Sequence, residues 1–201
     1  TVLAAPSDVE VVLFDEGAGA VEIERLGMLV RAELGDACYS AEGSSLPATV
    51  LALARTANVH IATAESCTGG EIAAALTDIP GSSDVFLGGV VAYSNALKTT
   101  VLSVADTTLA GFGAVSEQTA CEMAAGAARL TGAHYAVSTT GVAGPGGGTA
   151  EKPVGLVWFG IMTPTGVSAV HRKFLGDRAG IRTRATMFAL DLLRRALQES
   201  K

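Results

Sequence analysis

Cysteine and histidine are both scarce in this chain of 201 residues, which contains three of each. Cys38, Cys67 and Cys121 form no CxxC pair, so a disulfide framework is not expected and a reducing compartment is favoured. The three histidines are scattered without the spacing of metal ligands, and we therefore expect no structural zinc site. These absences favour a cytoplasmic location.

Basic residues and long apolar runs are also few. Fourteen Lys and Arg residues stand against twenty Asp and Glu, and the resulting net charge of -6 disfavours general nucleic-acid binding. No apolar run reaches the roughly 18 residues of a membrane helix, and the N-terminus lacks the features of a signal peptide. We therefore expect neither nucleic acid nor a membrane as a partner.

Aromatic residues make up only 5% of the chain, whereas glycine is abundant, at 24 residues. Small residues and a mean hydropathy of +0.40 are typical of an α/β protein with closely packed elements and a large core. Apolar content of 49% in 201 residues also favours apolar surface patches, and these predict a homo-oligomer.

A small α+β module is predicted at the start of the chain. Alternating apolar and acidic residues indicate a strand over 8–16, and apolar residues at helical spacing predict a helix over 20–34. A short strand is expected at 37–40, before a run of turn-forming residues that reads as a linker. We therefore divide the chain into a module at 1–42 and a larger domain at 46–201.

Strands alternate with helices in the larger domain, and a hairpin follows late. Apolar runs predict strands at 59–65, 86–94 and 134–142, a hairpin at 153–175, and a final helix at 177–199. This order predicts a three-layer α/β/α sandwich with a mixed, mainly parallel sheet.

The turn AESCTGG at 64–70 is the first candidate for chemistry. A predicted strand ends at Ser66, and ligands of α/β sheets bind at the carboxyl ends of strands. The free N–H groups of the following helix would favour a developing negative charge there. Ser66 or Thr68 could instead be only a helix cap. Cys67 is an alternative nucleophile, but without a histidine nearby in sequence a buried thiol is the better interpretation.

The segment VVAYSNALK at 90–98 is the second candidate. Tyr93 closes an apolar strand, and Lys98 follows five residues later. A lysine can act as a general base if burial lowers its pKa, and serine with lysine supports acyl transfer without histidine. Read alone, Lys98 could equally be a solvated amine and Tyr93 an aromatic residue at a strand end.

Two further segments suggest anion binding. In STTGVAGPGGGTAEKP, at 138–153, a strand ends at Thr140 and glycines follow, although neither a Walker A loop nor a Rossmann fingerprint is present. Such a loop can direct N–H groups at a phosphate, or it can be a flexible surface loop. In FLGDRAGIRTR, Arg178 and Arg182 share a helix face and suit phosphate binding, or form a solvated basic face.

Together these segments resemble the C-terminal domain of the CinA (competence/damage-inducible protein) family, the nicotinamide-nucleotide amidohydrolases. The resemblance runs from about Leu46 to Leu197, through AESCTGG, PGSSDVFLGGVVAYSNALK, GAVSEQTA, TTGVAGPGGGTAEKPVGLVWFG and GDRAGIR. Residues 8–40 are similar to the linker module that precedes this domain in longer members. The nucleotide-pyrophosphatase domain of those longer proteins is missing, so we expect a fragment or a shortened member.

The resemblance implies hydrolysis of nicotinamide mononucleotide to nicotinic acid mononucleotide and ammonia, without a metal or other cofactor. It implies that Ser66 is the nucleophile, Lys98 the base and Tyr93 a proton relay, with helix N–H groups at the oxyanion. Arg178 or Arg182 would hold the phosphate, with Arg182 weakly favoured. The implied substrate site also includes Thr68, Gly69, Gly70, Thr140, Gly141, Gly144, Gly146 and Gly147. The alternative is a non-catalytic nucleotide-binding or partner-docking module.

Overall fold

The computed structural model describes residues 2–5, 8–14, 17 and 19–199. Two short antiparallel strands and a helix come first, namely β1 (Val2–Ala5), β2 (Asp8–Val11) and α1 (Ala20–Leu34). The strand predicted over 8–16 therefore ends at Val11, and residues 15 and 16 lie outside the described residues. The division of the chain at 42 and 46 stays a prediction.

The strand predicted at 37–40 is wrong. A 3-10 turn occupies Gly35–Ala37, and an irregular segment follows it. The Ser40 hydroxyl accepts two backbone N–H groups from further along the chain, and the Tyr39 hydroxyl donates to the Asp8 carboxylate at 2.8 Å. These local side-chain bonds satisfy the segment without a neighbouring strand.

A five-stranded mixed sheet forms the centre of the larger unit. From one edge to the other its strands are β4 (Phe86–Val91), β3 (Ile61–Glu65), β5 (Tyr135–Gly141), β6 (Leu156–Thr163) and β7 (Gly166–Lys173). β3 pairs in parallel with β4 and β5, whereas β6 runs antiparallel to β5 and β7. Four strands thus share one direction, and the predicted α/β fold with a mixed sheet is confirmed.

Helices cover both faces of this sheet. They are α2 (Leu46–Ala57), α3 (Glu71–Thr77), α4 (Asn95–Thr100), α5 (Asp106–Phe112), α6 (Glu117–Thr131) and α7 (Arg178–Gln198). α7 packs with α2 and α3 on one face, and α6 packs on the other with α5 against it. The final helix starts where predicted, because the Asp177 carboxylate accepts the Gly180 N–H at 2.8 Å.

Two glycines allow α6 to lie very close to its neighbours. A Cβ atom at Gly160 of β6 would sit 2.2 Å from the Ala120 carbonyl oxygen of α6. A Cβ atom at Gly126 of α6 would sit 2.1 Å from the Leu102 carbonyl oxygen. The small residues of the predicted alanine-rich helix therefore serve close packing against the sheet.

The register of the sheet places a row of side chains at its carboxyl edge. Glu65 of β3 pairs with Val91 and Thr139, so the next residue, Ser66, lies level with Thr140. Thr140 in turn pairs with Trp158 of β6, which pairs with His171 of β7. This edge is where ligands bind in α/β sheets.

Candidate active site

Ser66 and Lys98 come together at this edge. Ser66 follows β3, and Lys98 lies on α4, a short helix that starts after the Ser94 cap. Lys98 Nζ donates to Ser66 Oγ at 3.0 Å and to the Ala92 carbonyl at 2.9 Å. The Lys98 side chain is 1% exposed, so the amine is held in place inside the protein rather than in solvent.

Burial also changes the proton affinity of this amine. Desolvation lowers the pKa of Lys98 below its ordinary value of 10.5, and the nearby Cys67 thiol opposes this only in its ionised form. Burial raises the pKa of Cys67 to about 12, so that thiol stays neutral near pH 7. Within the described residues no carboxylate forms an ion pair with Lys98. Burial therefore shifts the proton equilibrium of Lys98 toward the neutral amine, the form that can accept the Ser66 proton.

We expect the free energy of unfolding to rise with pH between the lowered pKa of Lys98 and 10.5. In this window the unfolded chain still binds the lysine proton that the folded chain has released, so a higher pH favours the folded state. Denaturant titrations across this range measure the slope. Lys98→Met should lose the Lys98 share of it, whereas Lys173→Met, at an exposed position, should keep it. Equal slopes in both variants would contradict the buried-amine assignment.

Glu65, the residue before Ser66, holds the turn through hydrogen bonds to the start of α3. Its side chain is fully buried, and its carboxylate accepts the backbone N–H groups of Gly70, Ile72 and Ala73 at 2.9, 3.1 and 2.8 Å. One carboxylate thus satisfies the start of α3 and ties it to the end of β3. This role of Glu65 was not predicted from the sequence, although a single acid at the end of an otherwise uncharged strand is a signal for it.

The oxyanion donors differ from those expected at the helix N-terminus, since Glu65 occupies the N–H groups there. The Ser66 and Gly69 N–H groups donate to backbone carbonyls of Thr139 and Ser66. The Cys67 and Thr68 N–H groups are directed at the Cys67 sulfur and lower the pKa of that thiol, against the larger effect of burial. Because they donate to no oxygen within the described residues, we expect these two amides to serve an oxyanion beside Ser66 Oγ.

Thr68, Gly69 and Gly70 complete the turn between Ser66 and α3. The Thr68 side chain is fully buried, and its hydroxyl lies 2.7 Å from that of Thr139. Gly69 and Gly70 have φ angles of +64° and +100°, which favour glycine. Arg182 Nη2 lies 3.2 Å from where a Cβ atom of Gly69 would be. Thr68 can therefore reach a substrate only through its backbone.

The two candidate arginines have different partners. Arg182 Nη2 contacts the Glu71 carboxylate at 2.7 Å and the Thr68 carbonyl at 2.7 Å, while its buried Nε has no hydrogen-bond partner among the described residues. Arg178 is exposed and forms no ion pair among the described residues. Its charge is therefore available to an anion, whereas that of Arg182 is largely neutralised by Glu71.

Arg178 links Tyr93 to the glycine loop at one side of the site. Arg178 donates to the Tyr93 hydroxyl at 2.9 Å and to the Gly144 carbonyl at 2.9 Å. Tyr93 is 60% exposed, and no hydrogen bond in the described structure joins it to Ser66 or Lys98. Arg178 thus connects Tyr93 to the glycine loop. None of these hydrogen bonds involves Ser66 or Lys98.

The glycine loop lies next to Thr140. The Thr140 hydroxyl donates to the Ala114 carbonyl at 2.6 Å, and Gly141 packs so tightly that a Cβ atom would lie 2.6 Å from the Leu156 carbonyl. Gly146 and Gly147 are exposed. Gly141 is therefore needed for packing, whereas Gly146 and Gly147 lie in the exposed part of the loop, just after the Gly144 carbonyl that Arg178 contacts.

Neither a metal centre nor a membrane span emerges from the part of the chain that the structure describes. Over residues 2–5, 8–14, 17 and 19–199, no three His, Cys, Asp or Glu side chains are grouped to hold a metal ion. No helix in the same ranges combines the length and hydropathy needed to cross a bilayer.

Comparison with known proteins gives a consistent result. Residues 43–197 match the family model of the CinA C-terminal domain. A CinA-like protein of Kosmotoga olearia is 50% identical over 169 residues, which make up 84% of this chain and 41% of that protein. A CinA-like protein of Mycobacterium marinum is 46% identical over 193 residues, or 96% of this chain and 45% of that protein. The chain thus spans about half the length of these curated relatives.

A solved structure shows the same fold over most of its length. The competence/damage inducible protein of Agrobacterium tumefaciens aligns with a TM-score of 0.71 and 44% identity, covering 76% of this chain and 93% of that one. A CinA superfamily protein of Klebsiella pneumoniae aligns with a TM-score of 0.74 and 36% identity, covering 77% of this chain and 96% of that one.

Proposed function

The chain belongs to the CinA C-terminal domain family, and we propose that it hydrolyses the carboxamide of nicotinamide mononucleotide to nicotinic acid mononucleotide and ammonia. The observation that carries this proposal is the buried Lys98 amine, 3.0 Å from Ser66 Oγ. A serine paired with lysine is a known arrangement for acyl transfer without histidine.

In the acylation step, neutral Lys98 takes the hydroxyl proton of Ser66 while Oγ attacks the carboxamide carbon. The carbonyl oxygen becomes negative, and we assign its binding to the Cys67 and Thr68 N–H groups of the turn. Each such donor is worth roughly 3–4 kcal/mol in a comparable hydrolase. The C–N bond then breaks, the Lys98 ammonium protonates the leaving nitrogen, and ammonia departs.

In the deacylation step, Lys98 is neutral again and takes a proton from water. The hydroxide attacks the ester carbon, the bond to Ser66 Oγ breaks, and Lys98 returns the proton to Ser66. Tyr93 accepts a hydrogen bond from Arg178, so its own O–H is available to donate to the substrate. Its use as a proton relay stays a prediction.

We assign the substrate phosphate to Arg178 rather than to Arg182, because Glu71 neutralises Arg182. Arg178→Ala should raise KM for nicotinamide mononucleotide about tenfold or more, since a charge-assisted hydrogen bond is lost. Turnover of the phosphate-free riboside should be nearly unchanged. Steady-state kinetics with both substrates check this, with Arg184→Ala as the matched control on the same helix. Equal losses for both substrates would contradict the assignment.

The proposed reaction is tested by ammonia release from nicotinamide mononucleotide in buffer containing a metal chelator. The expected result is release of ammonia and nicotinic acid mononucleotide in equal amounts, insensitive to the chelator. Tight binding of the nucleotide without any release would contradict the proposal and favour a non-catalytic binding module. A mass measurement of the native protein in solution tests the predicted homo-oligomer.

A further inference from the structure

A cavity lies on the α6 face of the sheet, away from the Ser66–Lys98 pair. Its volume is about 470 Å³. The floor is formed by Trp158 of β6, whose ring centroid lies 4.6 Å from that of His171 on β7. The first turn of α6, with Glu117 and Gln118, forms one wall, and the segment 151–153 forms another. The cavity thus has an aromatic floor and polar walls.

This cavity is separate from the proposed amidase site. Along the row at the sheet edge, Thr140 lies between Ser66 and Trp158, so two strand spacings, or about 10 Å, separate Ser66 from Trp158. The Thr140 hydroxyl bonds to the Ala114 carbonyl at 2.6 Å, next to the cavity residue Val115. None of the residues proposed for amide hydrolysis lines the cavity.

Several polar groups in the walls have no protein partner. The Glu117 carboxylate, the Gln118 amide, the Trp158 indole N–H and the His171 imidazole make no hydrogen bond within the described residues. Lys152, by contrast, donates its ammonium to the Phe112 carbonyl at 2.5 Å. The cavity therefore offers unused donors and acceptors around two aromatic rings, a combination typical of small-molecule sites.

The charge of the walls restricts the ligand further. Glu117 and Glu151 bring two carboxylates, whereas Lys152 brings the one ammonium among the lining residues and is already bound to a carbonyl. Such walls disfavour a phosphate. The Trp158 and His171 rings, tilted by 45° to each other, can each bind the flat face of a heterocyclic base, and the wall groups match the donors and acceptors on its edge.

We propose that this cavity binds the heteroaromatic base of an uncharged nucleoside, as a site distinct from the amidase centre. A 5′-phosphate on the ligand is therefore expected to favour binding at the amidase site and to disfavour binding in this cavity. The two sites are thus expected to differ in their preference between a nucleoside and its 5′-phosphate.

The chain itself carries a reporter for this site, because Trp158 is its single tryptophan. Adenosine should quench the fluorescence of Trp158 in a saturable way at concentrations below about 1 mM. AMP should bind at least several-fold more weakly. Ser66→Ala and Arg178→Ala should leave adenosine binding unchanged, so the result does not depend on amidase activity.

Variants of the two rings test the stacking directly. Trp158→Leu and His171→Ala should each weaken adenosine binding, measured by calorimetry, by about tenfold. His171 is exposed, so its variant is expected to fold normally. His134→Ala, just before the amino end of the central strand β5, is the control and should bind as the unmodified protein does. The proposal is overturned if adenosine gives no saturable signal, if AMP binds more tightly, or if His171→Ala and Trp158→Leu bind normally.

Discussion

Ser66→Ala and Lys98→Met should each lower kcat/KM for nicotinamide mononucleotide by about 10⁴-fold or more. The double variant should be hardly worse than either single variant. Residues that act as one unit in catalysis show this lack of additivity, because removing either partner disables the shared step. Here the unit is the 3.0 Å hydrogen bond through which Lys98 would receive the serine proton.

The measurement is ammonia release at saturating and limiting substrate for the two single variants and the double variant. Ser168→Ala and Lys173→Met change the same residue types at exposed positions on β7 and should retain full activity. Cys67→Ala should also remain active, because burial raises the pKa of that thiol to about 12 and so keeps it protonated. If the losses of the two single variants simply multiply in the double variant, Ser66 and Lys98 do not act together.

The pairing of Ser66 with Lys98 was implied by the resemblance to the CinA family, and the predicted strands agree with it. Both residues follow a predicted strand, and the carboxyl ends of neighbouring parallel strands meet at one edge of a sheet. The structure confirms that β3 and β4 are parallel neighbours. Periodicity identified the strands, but the sequence did not show that they are neighbours, so the pair rested on the family motifs until the structure brought the two residues together.

The partners of the arginines could not be foreseen in the same way. Arg178 and Arg182 share a helix face, and the sequence weakly favoured Arg182 for the phosphate. In the structure a carboxylate from α3, a helix more than a hundred residues earlier, neutralises Arg182. Spacing shows which way a side chain points on its own helix, but not which acid another element brings against it.

The role of Glu65 was missed for a similar reason, because its hydrogen-bond partners cannot be read from the local sequence. A carboxylate at a strand end can point to solvent, bind a ligand or cap a helix, and local sequence does not distinguish these. The structure resolves the choice, because three backbone N–H groups of α3 converge on this one side chain. From that convergence we expect Glu65 to act as a positioning residue for Ser66.

Glu65→Ala is expected to lower kcat by about 100-fold and the free energy of unfolding by about 3 kcal/mol. The stability loss follows because three buried N–H groups lose a charged acceptor. The loss of kcat follows because the turn that holds Ser66 is no longer tied to α3, and a displacement of about 1 Å at a reacting group can cost this much. Glu65→Gln, which keeps an acceptor oxygen, should show smaller losses of both quantities.

The critical measurement is the separation of kcat from KM at a temperature where each variant is fully folded. Leu193→Ala is the matched control, since this buried leucine of α7 lies in the core, and truncating it should cost about 2–5 kcal/mol. A residue that only stabilises the fold would behave like Leu193, with kcat kept and the melting temperature lowered. A positioning residue lowers kcat while KM stays near its original value, because Arg178 and the glycine loop remain in place. Full kcat in Glu65→Ala would therefore reduce Glu65 to a structural cap and leave the placement of Ser66 to Lys98 alone.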